Sequence, residues 1–186
     1  MTEVGHRRIA FTGGELLVDG TLVPGDVVVA DGRIVSMGER RAEPDDDIVD
    51  CSGLVVAPGF VDLQCNGAGG VDLTTEPHRI ADVAALLPRF GVTAFLPTIV
   101  TAPAATRSAA IRHAGGLTPS VTGAVPLGLH FEGPMISPSH LGAHAERFTA
   151  EPAGLLDEID DWIASGAVAM VTRSEERRVG KECVSE

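Results

Sequence analysis

From Pro58 onward, strand-like and helix-like segments alternate, and that alternation limits the folds open to the chain more than any other feature. Phe60–Leu63, Thr93–Leu96, Ala124–His130 and Ala167–Val171 are short and apolar, with the composition of buried strands. Between them Pro77–Phe90, Pro103–Ala114 and Pro152–Ala164 read as helices. In the first, Ile80, Val83, Ala84 and Leu87 fall on one face, and Pro77 sits near the start, where a proline loses no helical hydrogen bond. Gly91, Gly115-Gly116 and Gly166 stop the three helices. A strand–helix succession of this kind implies an α/β fold, a parallel sheet with right-handed crossovers. Part of a (β/α)8 TIM-like barrel and an open doubly wound sheet both satisfy it. The glycine-rich run Asn66-Gly67-Ala68-Gly69-Gly70 is not GxGxxG and lacks the Lys-Ser/Thr of a P-loop, so the nucleotide fingerprints of the open sheet are missing.

Residues 1–57 follow a different pattern. Ile9–Phe11, Glu15–Val18, Asp26–Ala30 and Arg33–Met37 are strand-like, and turn signals at Gly13-Gly14, Asp19-Gly20, Pro24-Gly25 and Asp31-Gly32 separate them. Ile48–Asp50 and Leu54–Val56 add two more strands after the acidic loop Glu43–Asp47. The expectation is a small antiparallel β module over 1–57, then a half-barrel over 58–172. The segment 173–186 is mostly charged, has no apolar periodicity and holds the only lysine, Lys181. It reads as a non-native or disordered tail appended near Thr172. Half a closed sheet leaves an open strand edge, so this polypeptide alone is expected to be poorly soluble and inactive.

The net charge of −12 argues against nucleic acid or an anionic membrane as a partner, and no apolar run approaches a membrane span. A small anionic substrate stays open, since a few local cations suffice to hold a phosphate. Cys51, Cys65 and Cys183 have no metal-type spacing, and their odd number in a chain without a secretory signal fits a reducing cytoplasm. His6, His78 and His113 have no functional context and read as surface residues.

Three segments could carry chemistry at strand ends, where barrels place it. In Pro58–Gly67, Asp62, Gln64 and Asn66 share one face at period two. In Leu127–Pro134, His130 and Glu132 do the same, and Glu132 is followed by Gly-Pro. A carboxylate held there can bind a divalent cation or move a proton, although a strand-terminal glutamate paired with a distant arginine is the commoner case. In Ser137–His144, Gly142 and Pro138 argue for a loop rather than a helix. His140 and His144 are then not a helical ligand pair, and His144 suits a substrate hydrogen bond.

Together these segments resemble a known family. Pro58-Gly59-Phe60-Val61-Asp62 resembles the first barrel strand of the amidohydrolase superfamily, whose usual form is PGxxDxHxH, with Gln64 and Asn66 here in place of both histidines. That departure, the following glycine-rich stretch, His-Phe-Glu-Gly-Pro and Gly142-Ala143-His144 are similar to the single-metal N-acetylglucosamine-6-phosphate deacetylases. The resemblance covers roughly residues 10–172. It implies an amidohydrolase barrel preceded by part of a β-sandwich, and hydrolysis of the N-acetyl group of a phosphorylated amino sugar. It also implies a divalent cation, zinc, with Glu132 as a ligand. Ala143, through its backbone, and His144 would contact the substrate, and Gln64 and Asn66 would line the pocket. The remaining ligands, two histidines, and the catalytic aspartate of such enzymes would lie beyond this chain, and the parent would be a homodimer. Dihydroorotase-like or dipeptidase-like hydrolases usually keep HxH, so Gln64-Cys65-Asn66 speaks against them. A non-catalytic half-barrel is the alternative from a different class.

Overall fold

The computed structural model describes residues 8–38, 42–115 and 123–174. His6, Lys181 and Cys183 lie outside them, as does most of the segment read as a tail. The chain divides into two compact units, Met1–Pro58 and Gly59–Glu186.

The first unit is a sheet of β1 (Arg8–Val18), β2 (Thr21–Ala30), β3 (Arg33–Gly38), β4 (Asp47–Asp50) and β5 (Val55–Val56). Its order is β3-β2-β1-β4, with β5 also on β1. Asp19-Gly20 and Asp31-Gly32 close two-residue hairpins, with φ of 48°, 78°, 51° and 72° along the four residues. Left-handed pairs of this kind match the twist of the flanking strands.

The other two expected turns are not turns. At Gly13-Gly14, β1 continues through a bulge, where the Gly13 N–H donates to Asp26 Oδ1 at 3.2 Å. At Pro24-Gly25, β2 continues, because Pro24 lies outside the part of β2 paired with β3 and its missing N–H costs that ladder nothing. The antiparallel expectation also fails in part, since β4 and β5 run parallel to β1. The bulge explains how both fit on one strand. The Cys51 N–H donates to Thr12 O at 2.8 Å and the Glu15 N–H to Leu54 O at 3.0 Å, so the segment follows β1 past its irregularity. Arg8 Nε donates to Asp46 Oδ1 at 2.6 Å, and that hydrogen bond holds the Asp46 carboxyl below its ordinary range.

The second unit contains β6 (Phe60–Cys65), β7 (Val92–Val100), β8 (Val125–Pro126), β9 (Leu129–Glu132) and β10 (Val168–Thr172). The order is β10-β9-β7-β6 with β8 on β7, and every pairing is parallel. The helices are α1 (Ile80–Leu86), α2 (Ala104–Ala114) and α3 (Leu156–Ser165).

The first helix is shorter than its periodicity suggests, with 3-10 turns at Pro77–Arg79 and Leu87–Phe90. Pro88 has no N–H to return to Ala84, and the Ala84 carbonyl accepts from Ala124 N at 2.8 Å instead. The third helix starts late for a related reason: Pro152–Gly154 forms a separate 3-10 turn before α3. The expected strand Ala124–His130 is broken at Leu127-Gly128, and its second part runs on to Glu132. Arg173 and Ser174 are described, and the Ser174 N–H donates to Met135 O at 2.9 Å.

The core lies between sheet and helices. Leu129 and Phe131 are fully buried in it, and Phe131 meets Trp162 of α3 edge-on with ring centroids 4.9 Å apart. Alternation along β9 therefore sends His130 and Glu132 to the opposite face. The edge strands are β6, where Phe60, Val61 and Leu63 are exposed, and β10. Among the described residues, no helix is long and apolar enough to cross a membrane.

Candidate functional site

His130 is buried, and both ring nitrogens are occupied. Nδ1 lies 3.1 Å from Thr98 Oγ1, and Nε2 lies 2.8 Å from Thr172 Oγ1. The Thr98 hydroxyl already donates to Leu96 O at 3.1 Å, so it accepts from Nδ1–H, and Nε2 is left to accept from Thr172. Both threonine contacts are then satisfied by the neutral ring, and the Leu63 carbonyl stands by as a further acceptor for a ring N–H. Burial pushes the His130 pKa down, against the opposing pull of the Glu132 charge and the Leu63 carbonyl.

A folded-state pKa below the unfolded value stabilises the fold above about pH 6.5, and that contribution is lost as pH falls through the lower folded value. At pH 7, long-range proton–nitrogen spectra should show His130 neutral with its proton on Nδ1, and H130Q should lose this part of the acid destabilisation. An imidazolium signal at pH 7 would contradict the assignment.

Glu132 follows two residues on, at the C-terminal end of β9. Its side chain is 21% exposed, and Oε1 lies 3.7 Å from His144 Nε2. His144 stands in the loop after the 3-10 turn Pro138–His140, as Gly142 and Pro138 suggest. Its Nδ1 is 2.8 Å from Thr101 Oγ1. The Thr101 hydroxyl donates to the Glu132 carbonyl at 3.1 Å, so Nδ1–H donates to Thr101. In the neutral ring that leaves the Nε2 lone pair facing a carboxylate oxygen. Two acceptors at this distance need positive charge or a donor between them: a proton, a cation or a polar hydrogen of a ligand.

The other predicted residues divide. Asn66 and Ala143 line one cleft of about 1000 Å³, together with Asp72, Thr74, Thr75, Thr101, Thr106 and Phe148. Among the described residues no arginine, lysine or histidine lines it, so they offer hydroxyl, amide, carboxylate and apolar surface there. Gln64 is exposed on β6 and does not line this cleft; its N–H donates to Asp62 Oδ1 at 3.0 Å. Cys65 between them packs in the core, and burial pushes its thiol up. His140 is exposed and is bonded to Ser139 Oγ at 3.1 Å. Thr98, Thr101 and Thr172 were not legible as site residues, because their roles depend on which strand ends the parallel register aligns. Among the described residues, no three His, Cys, Asp or Glu side chains converge as a metal site. Glu132 can supply one oxygen to a divalent cation, and the rest of such a set is not among them.

Over 151 residues the chain is 38% identical to the human N-acetylglucosamine-6-phosphate deacetylase, covering 76% of this chain and 36% of that protein. It is 30% identical to the Caenorhabditis elegans N-acetylglucosamine-6-phosphate deacetylase, covering 99% of this chain and 47% of the relative. The chain is homologous to N-acetylglucosamine-6-phosphate deacetylases over their N-terminal part. It thus spans less than half the length of these deacetylases. The solved Mycobacterium smegmatis deacetylase superposes with a TM-score of 0.68 at 29% identity, covering 93% of this chain and 48% of that one. A variant of that deacetylase has been solved in complex with N-acetyl-D-glucosamine-6-phosphate. No family model matches the chain.

Proposed function

We propose that a longer protein containing this chain hydrolyses the N-acetyl group of N-acetylglucosamine 6-phosphate to glucosamine 6-phosphate and acetate. The observation that carries this reading is the Glu132–His144 pair: a carboxylate oxygen and an imidazole nitrogen 3.7 Å apart, with the other ring nitrogen held by Thr101. Homology to the deacetylases supplies the substrate class.

In this reading Glu132 is one ligand of a divalent cation, zinc by the family resemblance. Such an ion, when bound, polarises an amide carbonyl and lowers the pKa of water. Thr101 holds His144 so that Nε2 points toward the acyl or sugar portion of the substrate. Ala143 meets the same substrate through its backbone, and Asn66 lines the adjoining cleft with Gln64 beside it. Among the described residues no cation lines the cleft, and in this reading the phosphate is held by groups from elsewhere in the longer protein.

The open edges at β6 and β10 are completed by further strands of a (β/α)8 barrel, on which the other ligands and the catalytic aspartate reside. The parent works in the cytoplasm as a homodimer, and this chain alone does not turn over substrate.

In the longer protein, E132Q should lower kcat/KM for N-acetylglucosamine 6-phosphate by on the order of a thousandfold, several kcal/mol of lost transition-state stabilisation. Undiminished turnover would remove Glu132 from the reaction. Equal turnover of N-acetylglucosamine lacking the phosphate would overturn the phosphosugar assignment.

A further inference from the structure

His78 and His113 are far apart in sequence, and both are exposed. The fold brings their rings to a centroid separation of 6.1 Å, inclined by 58°. His78 sits in the 3-10 turn Pro77–Arg79 and His113 in the last turn of α2. Neither ring has a hydrogen-bonding partner among the described residues, so each keeps a nitrogen available to a ligand. An imidazole nitrogen ligates at about 2.0–2.1 Å, which places the centroids of two rings sharing one ion on the order of 5–6 Å apart. The observed 6.1 Å stands at the upper end of that range.

We propose that His78 and His113 together bind a divalent transition-metal ion, separate from any ion at Glu132. Imidazole selects copper(II), nickel(II) or zinc over magnesium or calcium. Water fills the remaining positions, since no third His, Cys, Asp or Glu joins the pair among the described residues.

The pair has a mechanical consequence. Pro77, adjacent to His78, lines the cleft described above, and so do Thr106 and Ala109 of α2. His113 stands four residues beyond Ala109 and seven beyond Thr106, on the same helix face. An ion shared by the two histidines therefore clips together the two segments that form this part of the cleft wall.

The test is calorimetric titration of the full chain with Zn²⁺, Ni²⁺ and Cu²⁺, one metal at a time, with Mg²⁺ as a control. Binding tightest for Cu²⁺ and absent for Mg²⁺ is expected. H78A and H113A should each weaken it on the order of a hundredfold, because a chelate becomes a single ligand. H140A, which removes another exposed histidine, and E132Q should leave it unchanged. At a hundredfold excess of metal over Kd, the melting temperature should rise by about 5–10 °C in the native chain and not in H113A. Binding that stays as tight in either single substitution as in the native chain, or that is lost in E132Q, overturns the proposal. Loss in E132Q alone would instead support the Glu132 site, so the two readings fail separately.

Discussion

Replacing Arg107 with methionine is expected to destabilise the chain by about 3–5 kcal/mol, the usual result of removing one partner from a buried ion pair. The Arg107 side chain is only 5% exposed, and its fork meets Glu158 through Nε–Oε1 at 2.6 Å and NH2–Oε2 at 2.7 Å. NH1 donates to the Ala102 carbonyl, and the guanidinium lies 5.8 Å from the centre of the Trp162 ring. One side chain thus ties α2 to α3 and to the loop that follows β7. R107M leaves the Glu158 carboxylate without its counter-charge and the Ala102 carbonyl without a donor.

The double variant R107M/E158L should recover most of the loss, because an apolar pair removes the stranded charge. The remaining deficit reports the orphaned carbonyl, about 1–3 kcal/mol. R107K should fall between, since an ammonium cannot make the bidentate contact. Denaturant unfolding of the native chain, R107M, E158L and R107M/E158L closes the cycle, with R107K measured beside it. Equal stability of R107M and the native chain would show that the ion pair contributes nothing.

How much of this was legible beforehand depended on distance along the chain. The parallel sheet was visible because strand and helix signals are local: β7 and β10 stand out as short apolar runs, α1 by its apolar face, and α2 by its stop at Gly115-Gly116. The errors were local too, but came from partners further away. Pro88 was known from the sequence, yet only the Ala124 N–H shows why α1 can end early without stranding the Ala84 carbonyl. Gly13-Gly14 reads as a turn and forms a bulge because Asp26, thirteen residues on, takes the Gly13 N–H.

The site shows the same division. Glu132 and His144 stood out because each sits in a short motif resembling a known family. Thr98, Thr101 and Thr172 carry no such mark, and only the register of β7, β9 and β10 places their hydroxyls on His130 and His144. Arg107 and Glu158, fifty-one residues apart, were equally invisible as a pair.

Gly133, between Glu132 and Pro134, offers the second large effect. Its φ is +94°, outside the range an L side chain adopts readily, and a Cβ built there would sit 2.1 Å from Thr101 Oγ1 and 3.1 Å from Ile136 Cγ1. G133A therefore carries two separate costs. The backbone strain is about 1–3 kcal/mol. The Thr101 hydroxyl must also leave, which breaks its bonds to the Glu132 carbonyl and to His144 Nδ1.

The expected loss is about 3 kcal/mol or more in stability, together with a changed His144 tautomer signal. G142A is the matched control. Gly142 also has a positive φ, +54°, but nothing lies within 4 Å of its virtual Cβ, so only the backbone cost applies, about 1 kcal/mol. T101V separates the two contributions, since it removes the hydroxyl without straining residue 133. If T101V and G133A shift the His144 signal alike while only G133A loses the larger share of stability, the glycine's role is twofold: it lets the chain turn after Glu132, and it leaves room for the hydroxyl that orients His144. A G133A chain with native stability and a native His144 signal would remove both parts of that account.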